Sequence, residues 1–222
     1  NNLSDYIKNQ TGCRFIQKKI EENPSISNAI FESLYYDLFS MCGDLFGNYV
    51  VQKLLENIEP KNLLKFMELI SKDFTKLATS NYGPRVVQKL QEIVSSVKEN
   101  NYQDIYLKCF KSINYHITND LVSLSSNNNS SHIIIKYVNE IKYPRNIKLF
   151  EEVYNNFIPL CKDKYGCCVI QKCIDSGNEE QRNKLLDLSC LNCSNLISEQ
   201  FGNYVIQFVV CLNLKIVNLS LK

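Results

Sequence analysis

Apolar residues come in pairs along this chain, and the pairs return at a long, nearly constant interval. Val50-Val51 is followed by Leu54-Leu55, and Val86-Val87, Ile133-Ile134 and Val169-Ile170 open similar runs. Apolar positions at i, i+1, i+4 and i+5 make one buried face of a helix. Further amphipathic runs lie between the pairs, such as Pro60 to Ile70, where Pro60 suits a first helical turn. Pro144 is expected to open a helix from Arg145 to Val153 in the same way. No β-alternating segment longer than a few residues appears, and hairpin dipeptides are absent. The pattern predicts an all-α protein.

The pairs belong to a recurring string. Gly12-Cys13-Arg14-Phe15-Ile16-Gln17-Lys18 returns as Gly47-Asn48-Tyr49-Val50-Val51-Gln52-Lys53 and as Gly83-Pro84-Arg85-Val86-Val87-Gln88-Lys89. It returns again as Gly166-Cys167-Cys168-Val169-Ile170-Gln171-Lys172 and as Gly202-Asn203-Tyr204-Val205-Ile206-Gln207-Phe208. The glycine intervals are 35, 36, 83 and 36, and Ser130-Ser131-His132-Ile133-Ile134-Ile135-Lys136 divides the long one into 47 and 36. Six residues before the glycine position stand Tyr6, Met41, Leu77, Leu124, Leu160 and Leu196. The glycine, or Ser130, is expected to end a short helix and start the next through a tight turn. Each of the six units then reads as a short helix, a motif helix and an outer helix. The motif helices are expected near 12–22, 47–57, 83–94, 130–140, 166–175 and 202–212.

A unit of about 36 residues cannot bury its apolar face alone, so neighbours must stack into a solenoid with equivalent helices in register. Residues 1–222 are therefore expected to form one repeat domain. The third unit carries extra residues, expected as a polar loop from Ser95 to Gln103, and Asn127-Asn128-Asn129 is expected to be loosely ordered. Cys211 to Leu219 is apolar with no further repeat to cover it, which predicts an exposed apolar end prone to self-association.

Composition narrows the function. Of 222 residues 45% are apolar, which excludes a disordered chain. The formal net charge of +2 leaves any nucleic-acid role to local patterning. Ten cysteines sit mostly inside apolar runs, where a thiol acts as a small hydrophobe. No signal peptide opens the sequence and no apolar stretch is long enough for a bilayer, so a reducing, cytoplasmic location is expected.

The polar positions of the string are equally regular. A glutamine falls five residues after the glycine at Gln17, Gln52, Gln88, Gln171 and Gln207. Four residues earlier stands a small polar or thiol residue, and positions i and i+4 lie one above the other on a helix. The residue between is planar in most copies: Arg14, Tyr49, Arg85, His132 and Tyr204. Planar groups projecting at one-repeat intervals make slots into which a flat base fits, with the amides reaching its edge. In one copy, solvated glutamines and packing tyrosines would account for the pattern. Five glutamines in one register favour recognition.

These strings, Tyr165 to Lys172 and Gly47 to Lys53 above all, resemble the Pumilio (PUF) family of RNA-binding repeat proteins, over essentially the whole sequence. The six copies are similar to the first six of the family's usual eight, with the seventh and eighth beyond Lys222. The resemblance implies a right-handed superhelix of three-helix repeats that binds single-stranded RNA in mRNA 3′ untranslated regions, for post-transcriptional control. It further implies protein partners on the convex face and neither cofactor nor metal. By the family's code, Cys13 with Gln17 and Cys167 with Gln171 resemble adenine readers. Asn48 with Gln52 and Asn203 with Gln207 resemble uracil readers. Pro84 departs from the pattern but keeps Arg85 and Gln88, implying adenine. Ser131 and Ile135 offer no amide, so His132 could stack with weak discrimination, and Cys168 is a poor stacking plane. Family RNA runs antiparallel to the protein, which implies the site 5′-UANAUA-3′.

Two rivals remain. An enzyme is disfavoured, because His116 and His132 lie in no acid–base constellation and no Gly-rich phosphate loop appears. Cys190 and Cys193 have CxxC spacing, but one pair without a partner is weak evidence for zinc. A protein-binding scaffold of the HEAT or armadillo kind would share the solenoid but needs no fixed register of amide and plane.

Overall fold

Helices alternate in a fixed order of short, motif and outer. The structure is a computed structural model that describes residues 2–95 and 102–220, with side chains for 3–95 and 102–212; no strand occurs among the described residues. The first copy consists of α1 (Asn2–Ile7), α2 (Gln10–Glu22) and, after a 3-10 turn, α3 (Ser27–Leu34). The second is α4 (Leu38–Cys42), α5 (Gly47–Leu55) and α6 (Pro60–Ser71), and the third α7 (Phe74–Thr79), α8 (Gly83–Ser95) and α9 (Gln103–Asn119). The fourth comprises α10 (Leu121–Ser125), α11 (Ser131–Glu140) and α12 (Ile147–Asn155). The fifth is α13 (Phe157–Lys162), α14 (Gly166–Ser176) and α15 (Glu179–Leu191), and the sixth α16 (Cys193–Leu196) and α17 (Gly202–Ser220). The chain divides into two compact units, Asn1–His116 and Ile117–Lys222.

In the first unit α5 packs against both α2 and α8. Ile20, Val50, Val51, Leu54, Val86, Val87 and Leu90 fill the seams and are buried. In the second unit α14 packs in the same way against α11 and α17, over Ile133, Ile134, Val138, Val169, Ile170, Ile174 and Val205. The paired apolar positions are thus the core, and burial of such a side chain stabilises by about 1.5–3 kcal/mol. Amides pin successive outer helices: Asn62 Nδ2 donates to Asn28 Oδ1 at 3.0 Å, and Gln181 Nε2 to Asn146 Oδ1 at 2.9 Å.

The recurring glycine is explained by close approach. No glycine has a positive φ. Instead, a Cβ on Gly166 would lie 2.5 Å from the carbonyl oxygen of Leu160, and one on Gly202 2.8 Å from that of Leu196. Tyr6, Met41 and Leu77 crowd Gly12, Gly47 and Gly83 in the same way. The short helix crosses the start of the motif helix too closely for a side chain. The fourth copy keeps this approach by another means. Ser130 is buried and its Oγ donates to the Leu124 carbonyl at 2.7 Å.

Three residues before the glycine position sits a cap that the string does not include. Asn9, Asp44, Ser80, Asn127 and Asp163 accept from the backbone N–H of Gly12, Gly47, Gly83, Ser130 and Gly166 at 2.7–3.2 Å. These bonds satisfy orphan donors of the motif helix. Asn127 also accepts from the Asn129 N–H at 2.8 Å, so the expected loose Asn127-Asn128-Asn129 stretch is a hydrogen-bonded turn.

Some boundaries differ from the sequence reading. Pro144 does not open a helix at Arg145: it follows Tyr143 through a cis peptide bond in a turn, and α12 starts at Ile147. Asn146, just before it, donates through Nδ2 to the Ile141 carbonyl at 3.1 Å, closing that turn. Pro60 does occupy the first turn of α6. The motif helix of the first copy starts at Gln10, and α17 extends to Ser220. The Ser95–Gln103 loop lies outside the described residues at 96–101, and so do the side chains of the apolar run from Asn213 onward.

Candidate nucleic-acid interface

The string places its polar positions at three depths, with the sixth copy shallower than the rest. The first position after the glycine is buried at Cys13, Asn48, Pro84, Ser131 and Cys167, and half-buried at Asn203. The second is exposed in every copy: Arg14, Tyr49, Arg85, His132, Cys168 and Tyr204. The fifth is half-buried at Gln17, Gln52, Gln88, Ile135 and Gln171, and exposed at Gln207. A helix that must bury positions 1, 3 and 4 turns position 2 to solvent and leaves position 5 at the edge of the seam. Each copy therefore presents one projecting group beside one half-sunk group. In five of the six copies the fifth position is an amide, half-sunk in four of them and exposed at Gln207.

The paired side chains bond to each other. Gln52 Nε2 donates to Asn48 Oδ1 at 3.0 Å, and Gln207 Nε2 to Asn203 Oδ1 at 3.1 Å. Gln17 Nε2 donates to Cys13 Sγ at 3.0 Å. Asn48 Nδ2 in turn donates to the carbonyls of Asp44 and Leu45 at 2.8 and 3.0 Å, and Asn203 Nδ2 does the same to Glu199 and Gln200. The asparagines are anchored in the turn, and each holds its glutamine by the amide nitrogen. The glutamine oxygen is then the acceptor left at the slot, a match for an N–H on a base edge.

The thiols are neutral. Burial raises Cys13 above the ordinary thiol value, partly countered by the bond from Gln17. Burial, reinforced by the adjoining Cys168, pushes Cys167 up to about 12. Cys13 Sγ donates across to the Phe46 carbonyl at 3.2 Å, tying the first copy to the second. Cys190 is exposed, Cys193 is half-buried, and no group of three or more His, Cys, Asp or Glu side chains that could hold a metal occurs among the described residues.

Two features escaped the sequence reading. The lysine that follows four of the five glutamines is paired with carboxylates. Lys53 reaches Glu21 at 3.1 Å and Glu56 at 3.6 Å, and Lys89 reaches Glu56 at 3.0 Å and Glu92 at 3.1 Å. The bonds to Glu21 and Glu56 hold Lys53 and Lys89 above the ordinary ammonium value. The constant lysine in the string was the available signal. The second feature is a cleft of about 520 Å³ between α14 and α17, walled by Cys168, Tyr204, Phe201, Phe208 and Cys211, with Gln171, Gln207 and Lys164 at hand. Phe208 stands where the other five copies have lysine, and that exception marked the site.

The sequence pattern of the Pumilio-family RNA binding repeat matches residues 2–34, 37–71, 156–188 and 192–210, more than half of the chain. The chain belongs to the Pumilio family. Its relatives include Pumilio homolog 11 of Arabidopsis thaliana, 32% identical over 91% of this chain and 35% of that protein. The Pumilio domain-containing protein C6G9.14 of Schizosaccharomyces pombe is 28% identical over 96% of this chain and 30% of its own length. The chain thus spans about a third of these curated relatives. Among solved structures, the Puf4 RNA binding domain bound to an HO endonuclease RNA 3′ UTR recognition sequence superposes with a TM-score of 0.78 at 29% identity, covering 92% of this chain and 61% of that one. The RNA-binding domain of yeast Puf5p bound to MFA2 RNA gives 0.76 at 27%, covering 94% and 57%. The fold is the all-α helical-repeat solenoid of this family. No described helix is long and apolar enough to cross a membrane.

Proposed function

We propose that this chain binds single-stranded RNA sequence-specifically, one base per copy, with the two units acting as one reading domain. The observation that carries the reading is the recurring arrangement of the string: an exposed second position in all six copies, a plane in five, beside an amide at the fifth position in five. Solved relatives bound to 3′ UTR sequences support RNA of that kind as the partner. The second unit then reads 5′-UAN-3′ and the first 5′-AUA-3′, giving 5′-UANAUA-3′. Asn48 with Gln52 and Asn203 with Gln207 take uracil, whose N3–H meets the open glutamine oxygen. Cys13 with Gln17 and Cys167 with Gln171 take adenine. Gln88 beside Pro84 also takes adenine, and the Ser131, His132 and Ile135 seat accepts any base. The role is post-transcriptional regulation in the cytoplasm, without catalysis, cofactor or metal.

Magnitudes set the expected affinity. A stacked base contributes roughly 1–3 kcal/mol, and association costs about 4–15 kcal/mol. With His132 lacking an amide neighbour and Cys168 lacking a plane, the dissociation constant should be nearer micromolar than nanomolar. Glu21, Glu56 and Glu92 offset the positive potential of Lys53 and Lys89, so few net charges face the phosphates there and salt dependence should be shallow.

The test is a base swap. Asn48→Ser with Gln52→Glu places a carboxylate where guanine offers N1–H and N2–H donors. Fluorescence anisotropy with RNAs varied at the second base from the 3′ end should show preference moving from uracil to guanine. Tyr49→Ala should weaken every RNA about equally. Retained preference for uracil in the double variant would sink the register, and no binding of any RNA by the wild-type chain would favour a protein scaffold.

A further inference from the structure

The projecting planes do not all stand apart. Arg85 Nη1 donates to the Tyr49 hydroxyl at 2.7 Å, and the guanidinium carbon lies 5.8 Å from the centre of the Tyr49 ring. The two residues are 36 apart in sequence and hold the same position in consecutive copies. Their contact therefore bridges the slot between α5 and α8. A base sandwiched between two planes needs about 7 Å between them, two van der Waals layers of ~3.5 Å each. The planes here are too close and directly bonded, so this seat is shut. The cleft between α14 and α17 shows the alternative. Cys168 holds the position of Tyr49 there and Tyr204 that of Arg85, and about 520 Å³ stays open.

We infer that the Tyr49–Arg85 contact is a latch that keeps the base seat of the second copy closed until RNA displaces it. The inference rests on the RNA reading proposed above. Its chemistry separates two parts of one side chain. The Tyr49 ring supplies the stacking plane, whereas its hydroxyl supplies the acceptor that Arg85 holds. An RNA base entering the seat gains the ring on one side and the guanidinium on the other, but it must first break the hydrogen bond. The hydroxyl thus opposes binding while the ring promotes it. Removing the oxygen alone should strengthen RNA binding, the reverse of what removing the side chain does.

Tyr49→Phe tests this directly, because the ring and its packing stay. Anisotropy with labelled 5′-UANAUA-3′ should show binding about two- to tenfold tighter than wild type, the scale of the one hydrogen bond removed. The gain should vanish in an Arg85→Ala background, and for an RNA that lacks the base at the second position from the 3′ end. Tyr36→Phe, a fully solvated tyrosine outside the recurring string, should change nothing. Unchanged or weaker binding by Tyr49→Phe, or an equal gain with and without Arg85, would overturn the latch. In the RNA-free protein, NMR should find rotation of the Arg85 guanidinium slowed, and released by Tyr49→Phe; free rotation in the wild type would overturn the contact itself. If that rotation is slowed but no RNA binds, the RNA reading fails and the latch, as a gate for bases, falls with it.

Discussion

In the first unit Glu21, Lys53, Glu56, Lys89 and Glu92 alternate across three neighbouring motif helices. In the second unit Lys136 and Lys172 reach Glu140 and Asp175 of their own helices, at 3.8 and 2.9 Å. Apolar seams are nearly identical in the two units, down to the valines and isoleucines that fill them. What differs is everything polar around them. The second unit puts a serine for the glycine, an isoleucine for one glutamine and a thiol for one plane. It also buries Cys161, Cys167 and Cys173 among its helices. The lesson is that burial of position 4 in every copy, and of position 3 in all but the first, fixes the scaffold, while positions 2 and 5 and the surrounding charges vary without disturbing it.

The largest expected difference between the units is alkaline stability. Burial pushes Cys161, Cys167 and Cys173 up to about 12 from 9.0, and Tyr154 up to about 12 from 10.0. In the first unit Cys109 is pushed up to about 11, and Cys42 is raised as well. A thiol with a raised folded value holds its proton in the folded state after the unfolded chain has lost it. Its contribution is complete below pH 9.0 and is lost as pH rises from there toward 12. Cys161 and Cys173, the most deeply buried of the three, each lose about 1.4 kcal/mol per pH unit, so together they lose about 5 kcal/mol by pH 11. That is comparable with a domain's whole stability, about 5–15 kcal/mol. Pulsed iodoacetamide labelling at stepped pH, read by mass spectrometry, should mark Cys161, Cys167 and Cys173 at lower pH than Cys42 and Cys109. Labelling of both sets together would remove the distinction.

Next in size is the crossing of short and motif helices. Gly166→Leu forces a side chain onto the Leu160 carbonyl, and overpacking of this kind costs about 1–3 kcal/mol or more. Ser130→Gly removes only the hydroxyl bond to Leu124, about 1 kcal/mol. Urea unfolding should rank Gly166→Leu well below Ser130→Gly. Equal midpoints would mean that the glycine is kept for some reason other than close approach.

These contrasts also show how far the sequence could be read. The repeat, its three helices and the depths of Cys13, Arg14 and Gln17 follow from spacing, because a 3.6-residue period leaves one way to bury the apolar pairs. The reason for glycine was not legible, since it depends on the backbone of a residue six positions earlier. The caps at Asn9, Asp44, Ser80, Asn127 and Asp163 vary in residue type and lie outside the string, so no repeated letter marked them. Pro144 misled because proline suits both a helix start and a turn, and local bonding by Asn146 decided between them. The Tyr49–Arg85 contact joins residues whose nearness depends on the stacking distance between copies, a quantity no single-sequence pattern encodes.

The smallest expected effect bears most directly on reading. The fourth copy keeps a buried Ser131, an exposed His132 and a half-buried Ile135 at the position of the glutamines. Ile135→Gln would return an amide to a helix edge that already has the right depth, beside a hydroxyl that donates to the Asn128 carbonyl at 3.4 Å. Serine with glutamine would parallel the small residue with glutamine at Cys13 and Gln17, the pair proposed above for adenine. A restored edge bond is worth about 0.5–1.5 kcal/mol, so adenine should gain roughly two- to tenfold over other bases at the third position from the 5′ end. Binding of RNAs ending in the unchanged AUA should differ little between wild type and variant when that third base is not adenine. Competition with the four RNAs that differ only there would measure the gain. A gain spread evenly over all four bases would show that the amide merely improves packing, and that position 5 of the second unit does not read an edge.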